Sequence, residues 1–314
     1  MHRDTLISII IPTYKRPDGI AVALASVEHE TVVGFDIEII IADNDPKASA
    51  KTFIEKFAAN SSTNIHYVHV PQPGVSNARN GALAVAKGRY IAFLDDDMEA
   101  IAPWLTPLIT ASRLYEAALV FGPATAVMPA ANKPEYEYMQ PEFSRLPHDT
   151  DGIIDEGVAT GNCLIDLAKC ELPTPPFDLR YNQTGGEDDA LFQTLQAQGV
   201  KLAWAQNAKT WEHVPANRAT LSYIWKRNLA FGQSPTQLAA ESGMSGIFGI
   251  TKWMLVGFAQ TLIFGPIWLV LRLTGQAKHV QYFCKLAQGV GKVIWFGPFA
   301  PKLYGENATI ETKP

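Results

Sequence analysis

The segment Arg89-Tyr-Ile-Ala-Phe-Leu-Asp95-Asp96-Asp97 joins an apolar run to three consecutive carboxylates. The Tyr, Ile, Phe and Leu of that run suit a strand buried in a sheet, and an acid triplet does not. Adjacent carboxylates repel one another unless a cation neutralises them. With the side-chain period of two in a strand, Asp95 and Asp97 would lean to one side and could share a divalent metal. The carboxyl end of a strand in an open α/β sheet is also where ligands bind. A solvated acidic turn is the plain alternative, and the buried strand before it favours the metal.

Four further segments offer polar groups in useful places. Ile11-Pro12-Thr13-Tyr14-Lys15-Arg16 reads as a loop that could cup a flat base and present cations to phosphate. Ile41-Ala42-Asp43-Asn44-Asp45 puts a carboxylate where it could accept from a base N–H or a ribose hydroxyl. In Gly74-Val-Ser-Asn-Ala-Arg79-Asn80, Arg79 lies on the first turns of a helix and could pair with the triplet or a diphosphate. Each of these alone is equally a turn or a surface residue. Gly185-Gly186-Glu187-Asp188-Asp189 places acids at a helix N-terminus, which the helix dipole favours on its own. A base that deprotonates a hydroxyl also needs a carboxylate on a partly buried turn, and glycines let an acceptor come close to the backbone.

These segments need elements to hold them. Strands are expected at Leu6 to Ile11, Ile37 to Ala42, Ile65 to Val70 and up to the acid triplet, with helices between. Asp18 can cap the first helix, and Ser76 a helix over Asn77 to Lys87 that Gly88 ends. Strand and helix in alternation with short links specify a parallel sheet with helices on both faces. Polar residues then collect at one edge, where the first, second and fourth strands end. Beyond a helix over Pro103 to Glu116 the pattern loosens. Ala118 to Val127 and Thr160 to Asp166 are strand-like, and Pro129 to Asp151 reads as a Pro- and acid-rich loop region. Short strands at Lys201 to Ala205 and Lys209 to Val214 precede a helix over Thr220 to Gly232.

The chain has 314 residues, enough for one large α/β domain or two smaller ones. A net charge of −5 and the lack of a basic surface pattern argue against a nucleic-acid partner. Cys163, Cys170 and Cys284 fit neither a disulfide framework nor a zinc spacing, so a reducing compartment is expected. No signal peptide is expected at the N-terminus. Lys252 to Lys302 holds six Lys/Arg and no Asp or Glu, leaving the remainder strongly acidic. Trp253 to Leu271 is free of formal charge and just long enough to cross a bilayer. Gly257, Gly265 and Pro266 suit a kinked span or a re-entrant hairpin, and Tyr282 to Phe299, broken by Lys285 and Lys292, suits an interfacial helix.

In this order the motifs resemble the GT-A glycosyltransferases of family 2, over roughly residues 5 to 235. Within that family the sequence is similar to non-processive bacterial exopolysaccharide glucosyltransferases of the succinoglycan type. Ala42-Asp-Asn-Asp, Ser76-Asn-Ala-Arg-Asn80, Phe93-Leu-Asp-Asp-Asp97, Gly185-Gly-Glu-Asp188 and Phe231-Gly-Gln carry that likeness. The resemblance implies a Rossmann-like, mostly parallel sheet with helices on both faces, followed by a membrane-associated helical segment. It implies a nucleotide-sugar-binding half (1–116), an acceptor-binding and catalytic half (117–240) and a hydrophobic tail (241–314). Asp43 would contact the uracil of a UDP-sugar, with Pro12, Thr13 and Tyr14 as part of that wall and Arg16, Asn44 and Arg79 beside it. Asp95 and Asp97 would be the DxD pair on Mn2+ or Mg2+, with Asp96 reaching the ribose or sugar. Asp188 would be the general base and Glu187 its support. His213 falls where many such enzymes place a late metal- or phosphate-contacting His, although Glu212 is the better match to the closer relatives.

One displacement with one base implies inversion, with Arg79 or Arg227 helping to absorb charge on the leaving diphosphate. Processive members carry Gln-x-x-Arg-Trp on a late helix, and Trp225-Lys-Arg-Asn-Leu-Ala-Phe-Gly232 lacks it. One sugar per encounter is therefore expected. The implied acceptor is a polyprenyl-diphosphate-linked saccharide at the bacterial inner membrane, with the catalytic domain facing the cytoplasm. Two rivals remain at this level. A sugar-phosphate nucleotidylyltransferase would open with a Gly-rich loop, which Pro12 to Arg16 lacks. A catalytically silent UDP-sugar-binding scaffold would have no need of both the triplet and the Glu187-Asp188 pair.

Overall fold

A computed structural model describes residues 3–182, 185–241, 246–296 and 299. In chain order the elements are β1 (Arg3–Thr13), α1 (Pro17–Val27), β2 (Asp36–Asp43), α2 (Lys51–Ala58), β3 (Asn64–His69), α3 (Val75–Leu83) and β4 (Gly88–Leu94). Then come β5 (Met98–Ala100), α4 (Leu105–Leu114), β6 (Leu119–Phe121), β7 (Ala124–Val127), α5 (Tyr136–Phe143), β8 (Gly152–Ile154) and β9 (Asn162–Asp166). After a 3-10 turn at Leu179–Tyr181 follow α6 (Glu187–Ala197), β10 (Leu202–Trp204), β11 (Thr210–His213), α7 (Leu221–Glu241), α8 (Ile247–Leu273) and α9 (His279–Val293). They form two compact units, Met1–Thr125 with Ser144–His213, and Ala126–Phe143 with Val214–Pro314.

The first unit is built on an eight-stranded sheet in the order β3-β2-β1-β4-β9-β6-β10-β8. The first four strands are parallel, as the βα alternation predicts. Alternate residues of β1 feed two cores. Ile7, Ile9 and Ile11 join Leu24 of α1, Ile54 of α2 and Leu108 of α4, whereas Ile10 joins Ala82 of α3 and Phe192 of α6. Helices therefore cover both faces. The sheet is mixed rather than parallel throughout, because β9 enters antiparallel between β4 and β6, and β8 pairs antiparallel with β10. Short strands can enter in either direction when their connections are long.

Several boundaries differ from the sequence expectation for local reasons. Ser76 does not cap α3; Gly74 precedes the helix, and the Ser76 hydroxyl donates to the Asp178 carbonyl at 2.9 Å. Asn80 reaches the same strap, donating to Phe177 O at 2.7 Å and accepting from its N–H at 2.9 Å. Gly88 opens β4 instead of ending a helix. Ala118 to Val127 is two strands, broken where the Gly122 N–H turns to Asn162 O at 3.1 Å. The region from 129 to 151 holds the helix α5, whose Tyr136, Met139 and Phe143 repeat at helical spacing and are buried. α4 lacks a cap of its own; buried Glu30 accepts from Trp104 N and Leu105 N at 3.0–3.2 Å.

In the second unit, Tyr136, Met139 and Phe143 of α5 pack with Val214, Ile224, Val280 and Cys284. Trp225 of α7 and Trp268 of α8 both lie on the ring of Phe283 in α9, at 5.0 and 5.4 Å. α7 runs nine residues past Gly232, through Pro235. α8 is one continuous helix that includes Gly257, Gly265 and Pro266. Lys302 lies outside the described residues, as does much of the stretch beyond 296.

Candidate active site

β1, β2 and β4 end side by side, with Thr13 opposite Asp43 in the β1–β2 register. β4 stops at Leu94, so strand alternation does not extend over the acid triplet. The triplet forms a turn, with Met98 N donating to Asp95 O at 3.0 Å. Its side chains consequently diverge. Arg79 Nη2 donates to Asp95 Oδ1 at 3.1 Å. Asp96 and Asp97 share one guanidinium nitrogen, Arg16 Nη1, at 2.8 and 2.7 Å. The Thr13 hydroxyl donates to Asp96 Oδ2 at 2.8 Å, and the Tyr14 N–H lies 3.4 Å from the same oxygen. The guanidinium of Arg16 is thus shared by Asp96 and Asp97, while Asp95 turns to Arg79. Burial pushes the Asp96 carboxyl up to about 6 against the pull of Arg16, with Asp97 adding to the rise.

Arg79 links the triplet to the N-terminus of α6. It is buried and donates to Glu187 as well as to Asp95. Burial works against its charge, yet Asp95, Glu187 and Asp188 outweigh that and hold its pKa above the ordinary value. Burial pushes the Glu187 carboxyl up despite Arg79, with Asp188 reinforcing the rise. Asp188 is half-buried, and its Oδ1 accepts the Asp189 N–H at 2.9 Å. Gly185 and Gly186 precede this turn with φ of 77° and 93°, a left-handed backbone that side chains disfavour. On the other side of Asp95, a Cβ on Gly161 would lie 2.5 Å from its Oδ2, so β9 approaches the site with room only for hydrogen.

Asp43 and Asn44 are buried under this edge. Asp43 accepts from Asp45 N, Ala50 N and the Tyr67 hydroxyl at 2.9–3.0 Å. Asn44 donates to Val70 O and Gln72 O and accepts from Gly74 N. Pro12 is half-buried at the end of β1, opposite Ala42. His213 hydrogen-bonds Asp97 through the backbone, N to O, at 2.8 Å, while its ring meets Glu99 Oε2 at 2.9 Å. Asp95, Asp97 and His213 are not brought together as a ready-made metal cage. Among the described residues no three His, Cys, Asp or Glu side chains are so arranged.

Arg145 has no counterpart in the sequence reading. Bridged to Ala124 at the start of β7, it pairs with Glu212 at 2.5 Å and is close enough to Asp95 and Asp97 to feel both charges. Burial pushes Glu212 up against Arg145, and Asp97 and Asp95 push it further. The available signal was charge balance: so many acids at one buried edge require more cations than Arg16 and Arg79 supply. Arg227 belongs to the second unit, with its guanidinium over the rings of Phe143 and Phe231.

Residues 8–163 match glycosyl transferase family 2. The succinoglycan biosynthesis protein ExoM of Rhizobium meliloti is 35% identical over 243 residues, 77% of this chain and 78% of that protein. Chondroitin synthase of Escherichia coli is 31% identical over 119 residues, 37% of this chain and 17% of the synthase. Among solved structures, S. aureus TarS 1-349 in complex with UDP superposes with a TM-score of 0.51 at 15% identity. That match covers 71% of this chain and 64% of TarS. GalNAc-T7 with UDP, GalNAc and Mn2+ gives 0.50 at 12% identity, over 74% and 51% of the two chains. At such identities the likeness is one of fold, the GT-A arrangement.

Proposed function

Because the chain belongs to glycosyltransferase family 2 and is a glycosyltransferase, we propose that it is an inverting, metal-dependent, non-processive enzyme. It moves a sugar from a UDP-sugar to a lipid-linked saccharide in bacterial surface polysaccharide synthesis. The observation that carries this reading is the pairing across one sheet edge of the Asp95–Asp97 turn with Glu187 and Asp188, tied together by Arg79. Arg79 thus ties the donor edge to the turn that carries the acceptor base, the layout a single displacement needs.

The donor set fits a divalent cation such as Mn2+ or Mg2+. It is all carboxylate oxygen, and one guanidinium nitrogen already occupies the space between Asp96 and Asp97. Cations of this class are commonly held by one or two carboxylates, with substrate phosphates completing the shell, so no protein-only cage is needed. Asp97 and its neighbours would hold the ion, which when bound neutralises charge developing on the leaving diphosphate. The remaining roles fall to the chain itself. Pro12, Thr13 and Tyr14 border the base, and Asp43 faces it with the one acceptor position its three internal donors leave free. Asp188 takes the proton from the attacking acceptor hydroxyl, and Glu187 with Arg79 holds that turn in place. Glu212 with Arg145, rather than the ring of His213, completes the charge around Asp95 and Asp97.

The tail supports a membrane-bound acceptor. α8 is long and apolar enough to cross a bilayer, with a mean hydropathy of 1.9 and only 6% of that window buried, unlike the core helix of a soluble protein. We assign the protein to the cytoplasmic side of the bacterial inner membrane, where nucleotide-sugars are made. ExoM, by its name a succinoglycan biosynthesis protein, supports a polysaccharide product.

The test is UDP release from a panel of UDP-sugars with membrane lipid extract, with Mn2+ or with EDTA. Metal-dependent release from one donor, lost in Asp188→Asn by at least about a hundredfold while UDP still binds, is the expected outcome. UDP binding without release from any donor favours a silent scaffold, pyrophosphate release favours nucleotidyl transfer, and no UDP binding sinks the donor site.

A further inference from the structure

Through its side chain Arg16 is bonded to a distant turn rather than to its own loop. It directly precedes Pro17, which starts α1, and its side chain makes no cap there. Instead it reaches across to Asp96 and Asp97, on a turn eighty residues further along the chain. One nitrogen, Nη1, lies 2.8 Å from Asp96 Oδ1 and 2.7 Å from Asp97 Oδ2. The remaining Asp96 oxygen is taken by the Thr13 hydroxyl. A single positive atom bridging two carboxylate oxygens is the electrostatic arrangement a small cation would make.

Asp96 is buried, so leaving it charged without a partner would be costly. Arg79 cannot serve, because it is committed to Asp95 and Glu187 on the far side. Arg145 is committed to Glu212. Among these three arginines only Arg16 is both bonded to the acid pair and partly open to solvent, at 36% side-chain exposure. It is the one that can swing away.

We infer that Arg16 is a placeholder for the divalent cation: its guanidinium neutralises Asp96 and Asp97 while the site is empty and must withdraw before a metal can bind. This rests on the metal-dependent reading above. The displaced guanidinium, next to Lys15 on the loop bordering the base, is then free to face the diphosphate. Metal and nucleotide therefore assist each other's binding, because each rewards the same movement of Arg16. The coupling is reciprocal in free energy. The device also keeps the acid turn in shape between turnovers, when repulsion would otherwise open it.

The experiment is Mn2+ binding to the full-length protein, followed by electron paramagnetic resonance of the free ion, with and without UDP. Arg16→Gln removes the competing charge and should bind Mn2+ alone about tenfold tighter than wild type. Its affinity should gain less from added UDP. Arg16→Lys keeps a positive charge on the pair and should stay near wild type. Thermal unfolding gives a second readout: Arg16→Gln should melt lower without metal, and Mn2+ should raise its Tm more than it raises that of wild type. Equal or weaker Mn2+ binding by Arg16→Gln, or Gln and Lys variants that behave alike, overturns the placeholder while leaving metal dependence intact. Absence of Mn2+ binding in every variant, even with UDP, overturns both.

Discussion

Asp43, which we propose contacts the base, has a duty within the fold itself. Its position at a strand end suggested contact with a base, and its carboxylate also anchors the loop that follows through Asp45 N, Ala50 N and Tyr67 OH. Leaving buried donors unpaired costs about 1–3 kcal/mol each. Asp43→Ala should therefore lower unfolding stability by several kcal/mol in urea, beyond any loss of uridine binding. Stability equal to wild type would sink the anchoring role. Asp95 carries the complementary lesson. Sequence offered Arg79 as a partner for the triplet without saying for which acid, and the turn after Leu94 breaks the alternation on which a pairing with Asp97 relied. Arg145 was silent in sequence: nothing about Ser144-Arg145-Leu146 marks a residue that folds back on the acid edge.

At the level of elements, β9 was expected as a strand but not in its direction, which is consequential. It inserts antiparallel between β4 and β6 and brings Gly161 against Asp95. The β4–β9 register is fastened at its far end by Arg89, whose Nε and Nη2 donate to the two oxygens of fully buried Asp166 at 2.8 and 2.9 Å. Burial raises the Asp166 pKa, but the hydrogen bonds from Arg89 and Ala168 N and the nearby Lys169 bring it below the ordinary carboxylate value. A carboxyl whose folded pKa is depressed contributes stability above its unfolded pKa of about 3.9, and loses it as pH falls through the lower folded value. Asp166→Asn should thus cost about 1.5–3 kcal/mol at neutral pH. The gap to wild type in urea unfolding should hold down to about pH 4 and close below it. A gap independent of pH would rule out the ion pair as its source. Local signals located β1 to β4 well because each strand is a continuous apolar run ended by polar residues. β5 and β8 are three residues each, too short for periodicity to register.

For the whole molecule, the tail carries the one helix among the described residues that is long and apolar enough to cross a membrane. Leu255, Phe258, Leu262, Ile263 and Val270 on α8 are all more than half exposed. Lys252 and Arg272 flank the apolar stretch, and no acid lies between them. Each basic residue near an anionic surface adds about 1 kcal/mol. The protein should therefore sediment with vesicles containing anionic lipid more than with neutral ones, and high salt should weaken that difference. Leu262→Glu with Val270→Glu should shift it to the supernatant, each change costing roughly 2–4 kcal/mol if the position sits in hydrocarbon. A double variant that still sediments would exclude α8 as the anchor.

Much of this was already in the order of residues. Composition and the βα rhythm specified an α/β sheet, and the motif order specified the family. Those inferences hold because each depends on contacts within a strand, a helix or a short loop. Tertiary structure decided how the charges pair: Arg16 with Asp96 and Asp97, Arg79 with Asp95 and Glu187, and Arg145 with Glu212. Four of these five links join residues 67 to 108 positions apart, and the fifth, Arg79 with Asp95, spans a helix and a strand. Local propensity says nothing about which distant acid a guanidinium will reach. Only the packing of the sheet, with β9 set between β4 and β6, brings them within hydrogen-bonding distance and sets the balance of charge at the site.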